Sequence, residues 1–210
     1  MKNPQGYSGA RPFHIVLLAI LSGVFIWSLI KPKSYFIWCL EAFPIVIVVI
    51  IVIWYFKRLQ FVDFVYILIL VDLIIALRGA HYTYGAEPFF NWIKEALGLS
   101  RNYYDKLAHL FQGIVPAFII REILIREYKF RRGLMLTIIV ILACLGISAS
   151  YELIEWAIAA VGGEAAEPFL GLQGDAWDPQ WDMLCALVGS VIGTTFLYKF
   201  HDNHIRKMEL

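Results

Sequence analysis

Charge is scarce in this 210-residue chain: Asp, Glu, Lys and Arg together make up 17% of it. That is too little to coat a soluble globule of this size. The 60% hydrophobic content and mean hydropathy of +0.68 also lie far above a soluble domain's apolar share. A soluble domain is excluded, and the class is an integral membrane protein whose side chains mostly meet lipid. No long basic run with interleaved aromatics occurs, and a net charge of +1 gives no case for a nucleic-acid partner. Cysteine is sparse too. Cys39, Cys144 and Cys185 are odd in number, lie in apolar runs and lack CxxC spacing, so they read as buried free thiols. The first apolar run is followed by "KPKS" rather than a small-x-small cleavage site, so it reads as a retained span and not a cleaved signal.

What is present is a series of long apolar runs. A spanning helix needs about 20 mostly apolar residues. Six segments qualify: 12–30, 35–56, 61–77, 104–124, 133–160 and 179–200. The fourth is interrupted by Asp105, His109 and Gln112. The expected fold is an all-α bundle of about six transmembrane helices, forming a single domain over residues 1–210.

The flanking Lys and Arg residues set the orientation. With the N-terminus inside, the inner flanks hold 12 basic residues and the outer flanks 5, which predicts an N-in, C-in topology. On that frame the polar residues gather. His81, Tyr84 and Glu87 lie in the outer loop after the third span, and Asp105, Lys106 and His109 open the fourth. Glu152 lies 18 residues past Leu134, about 27 Å along a helix, so it reaches the outer boundary with Glu155 one turn further. Asp175, Asp178 and Asp182 lead into the last span within "GDAWDPQWD", and residues 161–198 contain no Lys or Arg. Four chain regions thus converge on one face.

There is an internal echo. "AEPFF" at 86–90 resembles "AEPFL" at 166–170, and "YDKLAHL" at 104–110 aligns with "WDMLCAL" at 181–187, pairing Asp105 with Asp182. The hairpins 61–124 and 133–200 read as two copies of one unit, an arrangement that would set two acids symmetrically about a cavity.

Asp105 and His109 are spaced i, i+4 and share a helix face; Glu152 and Glu155 are i, i+3 and share one too. Carboxylates buried together repel, so a proton or a cation must join them. Oxygen-rich sites with one His suit Mn, Zn, Mg or Ca, and the ligand set alone does not choose. The expected metal ligands are Asp105, His109, Glu152 and Asp182. Glu155 and His109 are the acid/base candidates, and His81, Tyr84, Glu87, Lys106, Asp175 and Trp177 are the binding candidates. Blander roles suit others. Asp178 before Pro179 reads as a helix N-cap. Asp175 fits a turn with Gly174, and Trp177 and Trp181 fit an interfacial aromatic belt. Gly189 and Gly193 form a GxxxG packing pattern. Glu41 and Asp72 lie near the outer ends of their helices, positioned to join the site or pair with Arg78, and Asp63 sits near the inner surface.

"HYTYGAEPFFNW", "RNYYDKLAHLFQG", "SYELIEW" and "GDAWDPQWDMLCALVGSVIG" together resemble the YjdF family of bacterial inner-membrane proteins, over most of the chain. A more distant resemblance is to VanZ-like membrane proteins, linked to glycopeptide resistance and the cell envelope. Asp105, Lys106 and His109 match their Asp-Lys-x-x-His, and Glu152 matches the Glu of their Glu-x-x-Gln, with Glu155 at the Gln position. Asp182, Gly189 and Gly193 match the spacing of their last motif, but Ala186 stands where an Asn would be, and no Arg lies in the last outer loop. The resemblance implies the envelope location and the site residues more than a reaction. The favoured expectation is an envelope protein with an acidic, metal-holding cavity at the outer face, acting on a lipid head group or lipid-linked precursor. A transporter or binding protein for a cationic solute or protons is the second, and a non-catalytic membrane component the third.

Overall fold

The computed structural model describes residues 9–163 and 167–209. All regular structure among them is helical: α1 (Pro12–Leu29), α2 (Tyr35–Phe56), α3 (Asp63–Tyr82), α4 (Pro88–Leu97), α5 (Tyr104–Arg126), α6 (Leu134–Gly162), α7 (Asp178–Val191) and α8 (Tyr198–Glu209). Five of these, α1, α2, α3, α5 and α6, are long and apolar enough to cross a membrane. Large apolar side chains such as Ile47, Ile50, Ile51 and Trp54 stand exposed on the bundle's outside, where lipid is the solvent.

The sixth span differs from the straight helix expected over 179–200. α7 passes into a π-helical turn, Ile192–Phe196, and α8 leaves it at a bend of 59°, so the two together make a sixth crossing only as a broken pair. The cause is local. Thr194 and Thr195 donate their hydroxyls to the carbonyls of Ser190 and Val191 at 2.7 and 2.5 Å, and such back-bonding bends a helix. α8 then folds His201 and Asp202 under the far end of α5, where Arg121 meets Asp202 at 2.8 Å and His201 lies 3.1 Å from the fully buried Glu122.

Two other departures concern element length. α3 continues to Tyr82, and the short α4 has no counterpart among the expected spans. Its ends are nonetheless well signalled: Glu87 caps it by accepting from the Phe90 N–H at 2.8 Å, Pro88 opens it, and Gly98 closes it in the left-handed conformation at φ 61°. At ten residues it is too short for a spanning template. The thiols also differ from the expectation: Cys144 is buried, but Cys39 is exposed on the lipid-facing side of α2 and Cys185 is half-buried. The first residue of the second "AEPFL", Ala166, lies outside the described residues.

Among the described residues, α5 and α7 form the most extensive helix contact. Small residues permit it. A Cβ at Gly113 would overlap the Ala186 carbonyl, and one at Gly189 would overlap the Leu110 carbonyl. The backbones touch where other residues would hold them apart. This contact sets the register that brings Asp182 opposite Lys106 and His109.

Two expectations follow. Gly189→Val should cost about 3 kcal/mol, the upper end for overpacking, because the clash is with backbone that no rotamer relieves. Gly146→Val, with nothing within 4 Å of the added Cβ, should unfold near wild type in the same detergent melt. For topology, Arg126 is buried in an ion pair with Glu122, so exposed Lys129 and Trp177 are the better reporters. With the native cysteines replaced, an impermeant thiol reagent on intact cells should label Trp177→Cys and spare Lys129→Cys; the reverse would invert the topology.

Candidate functional site

The first turns of α5, the last turns of α6 and the first turns of α7 meet at one end of the bundle. His109 sits one turn into α5, and its Nε2 lies 3.5 Å from Asp105, 3.8 Å from Glu152 on α6 and 3.7 Å from Asp182 on α7. All four side chains are buried. Among the described residues, one ligand atom each from Asp105, His109 and Asp182 lies within 4.8 Å of the others. On the opposite edge of the imidazole, Nδ1 is 2.7 Å from the Gln112 Oε1, an acceptor. An N–H at Nδ1 pairs with that oxygen in the neutral ring and in the imidazolium alike, and only the imidazolium would also donate from Nε2 to the carboxylates.

Two basic groups enter this cluster, the expected Lys106 and also Arg101. Lys106 Nζ donates to Asp105 at 3.1 Å, to Asp182 at 2.7 Å and to Asp178 at 2.5 Å. Arg101, from the loop between α4 and α5, donates to the same Asp178 oxygen at 2.5 Å and lies 3.5 Å from Asp175. Burial alone would lower the Arg101 pKa, but the hydrogen bond and charge of Asp178, with Asp105 and Asp182 behind it, more than offset this and raise it. Asp178 is accordingly not the helix cap expected. The N-cap position belongs to Trp177, and Asp178, 1% exposed in the first turn, bridges α5 and α7 through two cations. The reason is lateral: α7 packs so closely on α5 that its first acid meets cations from the neighbouring chain segment before its own backbone N–H groups.

A second ring of acids lies beside the first. Glu41 on α2 accepts from the Tyr151 hydroxyl at 3.3 Å, and Glu155 is buried one turn beyond Glu152. Tyr84 reaches this ring because Gly79 leaves room for its phenol; a Cβ there would overlap the ring. Burial pushes the Tyr84 phenol well above its ordinary range, and the charges of Glu41, Asp105 and Glu155 push it the same way. Glu41 thus joins the acids, whereas Arg78 pairs with Glu87 at 2.5 Å and with neither Glu41 nor Asp72.

Other expected binding residues lie elsewhere. His81 stacks on Trp27 and contacts the Ser28 carbonyl at 3.0 Å, in the junction of α1 and α3. Glu87 is consumed by Arg78 and by capping α4. Trp177 is 67% exposed. Asp175 makes a turn, accepting from the Trp177 N–H at 2.9 Å, with only a long contact to Arg101. Arg101 is the main residue that sequence reasoning counted only as a flank charge. Its spacing of four before Asp105 was a usable signal, as was its place in "RNYYDK".

Several buried atoms here lack hydrogen-bond partners: Glu152 Oε1, Asp178 Oδ2, and Nε and Nη2 of Arg101. Six carboxylates (Glu41, Asp105, Glu152, Glu155, Asp178 and Asp182) face two fixed cations, Arg101 and Lys106. The surplus of negative charge requires a cation or shared protons.

Residues 13–203 match the model of a family described as "Predicted membrane protein (DUF2238)". The chain is 42% identical over 190 residues to the inner membrane protein YjdF of Escherichia coli (strain K12), covering 90% of this chain and 91% of that protein. No solved structure matches. With its five apolar spans, the chain is a multi-pass protein of the inner membrane.

The place of Asp178 sets a sharp expectation. Losing a cap costs about 1 kcal/mol, whereas leaving a buried Arg without its partner costs about 3–5 kcal/mol. Asp178→Ser should therefore lower the thermal midpoint far more than a cap variant such as Ser34→Ala in α2. Equal small shifts would return Asp178 to a capping role.

Proposed function

The chain belongs to the DUF2238 family of membrane proteins, which includes YjdF, and from that premise we propose that its acid-rich end holds a divalent cation and acts on a lipid head group or a lipid-linked envelope precursor. The observation that carries this reading is the orientation of His109. Its Nε2 faces Asp105, Glu152 and Asp182 across 3.5–3.8 Å, so the cluster needs positive charge at that point, which a divalent cation on the neutral ring would supply in place of a ring proton. The Gln112 contact behind the ring is the kind of outer partner that orients a metal-bound imidazole. Asp105 divides its two oxygens, Oδ2 to Lys106 and Oδ1 toward His109, so the fixed ammonium and an ion can share it.

A bound cation would polarise the substrate or its water. Glu155 and His109 are the proton-transfer candidates, with Lys106 and Arg101 available to a substrate's negative charge. The basic-residue asymmetry supports an outer-face location for this end. An apolar layer that includes Val115, Phe118, Leu136 and Val140 separates the acids from the polar residues at the far end. That layer favours a one-sided site over a transport path. The surplus of carboxylates over fixed cations weighs against a purely structural role.

Protein purified without chelator should carry stoichiometric metal by elemental analysis, and Asp105→Ala and Asp182→Ala should each lose it while remaining folded. Wild type without metal, or both variants retaining it, would sink the cation reading.

A further inference from the structure

α1 and α2 are consecutive antiparallel helices whose backbones lean on α3 rather than on each other, meeting through end contacts such as Trp38 with Ser28 and His14 with Phe56. Only 6% of the α1 span is buried inside the bundle. The gap between the two is a slot made of cavities of about 270 and 230 Å³ that share Leu18, Leu21 and Val49. It opens beside His14 and Phe56 and continues to Phe25 and Ile26. The polar groups along it have partners: the His14 Nδ1 accepts from the Arg11 N–H at 3.2 Å, the Tyr66 hydroxyl accepts from the Phe61 N–H at 3.2 Å, and Ser22 donates to the Leu18 carbonyl at 2.8 Å. From His14 to Ile26 is about 18 Å of helix at 1.5 Å per residue. That is close to one leaflet, about half of a 30 Å hydrocarbon core.

The slot's mouth carries a small surplus of positive charge, three basic side chains against two acids. Arg11, Lys57 and Arg58 are exposed there, against Asp63, paired with Arg11, and Glu127, paired with Arg58. We propose that this slot binds one acyl chain of an anionic phospholipid, whose phosphate-bearing head group is held at the Arg11, Lys57 and Arg58 mouth. An apolar channel one leaflet deep beneath a cationic rim complements such an amphiphile at both ends. A second copy of the chain is a poorer occupant. It would insert in the same direction and bring its own Arg11, Lys57 and Arg58 to the same depth, setting like charges together. The site lies at the opposite end of the bundle from the acids and does not depend on their function.

Native mass spectrometry of the detergent-purified full chain tests this, with phosphatidylglycerol and phosphatidylethanolamine of identical chains as probes. Wild type should retain one phosphatidylglycerol in preference to phosphatidylethanolamine. Leu18→Trp, which fills the junction of the two cavities, should lose bound lipid of either kind. Lys57→Gln, on an exposed side chain that leaves the fold intact, should weaken phosphatidylglycerol by about fivefold and spare phosphatidylethanolamine, and adding Arg11→Gln should repeat that loss. Equal binding of the two lipids overturns the proposal. So does unchanged phosphatidylglycerol in Lys57→Gln, or in a folded Leu18→Trp. A dimer without lipid that dissociates in Leu18→Trp would assign the slot to a second copy instead.

Discussion

The backbone contact between α5 and α7 governs the rest of this molecule. Gly113 against Ala186 and Gly189 against Leu110 let the two helices approach until carbonyl oxygens take the space of missing side chains. At that distance a side chain one turn into either helix cannot avoid the other. Asp182 must meet Lys106 and His109, and Asp178 must meet Lys106 and Arg101. The small-residue stripe is thus the device that assembles the charged end. A larger residue at Gly189 would displace every distance in the site.

Close packing in lipid makes charge compensation obligatory. Water cannot relieve an ion buried in such a bundle, so each must be matched by a neighbour or a ligand. The far end satisfies this with Arg121, Arg126, Arg132 and His201 gathered around Glu122 and Asp202. The α5–α7 end does not: Glu41, Glu152 and Glu155 add to three aspartates against Arg101 and Lys106. One end of the protein closes its charges and the other leaves them open. That asymmetry, with an apolar layer between, separates a structural polar cluster from a candidate working site.

Much of this was legible along the chain because hydropathy and helical spacing are local. The five long spans followed from composition, and Asp105 with His109 followed from an i, i+4 spacing that any helix would honour. Glu152 followed from counting rise along α6. The residues misread were those whose partners come from another segment. Asp178 carries every local mark of a cap before Pro179, yet it is a bridge, because Arg101 lies 77 positions away in sequence and 2.5 Å away in space. Glu87 looked available until Arg78, one turn inside α3, took it. The bend after Val191 was obscured because Thr194 and Thr195 raise no alarm in a hydropathy window.

By itself the sequence determined the membrane class, the five long apolar spans and the helix faces that carry acids. Each depends on the side chains of one segment and on a solvent that accepts only apolar surface. The tertiary structure alone decided which acids are paired, which lack a counter-charge, and that α1 stands off from α2 to leave a slot. Those outcomes depend on distances of a few ångströms between segments tens of residues apart. Helix packing sets such distances, and no spacing along a single chain encodes them.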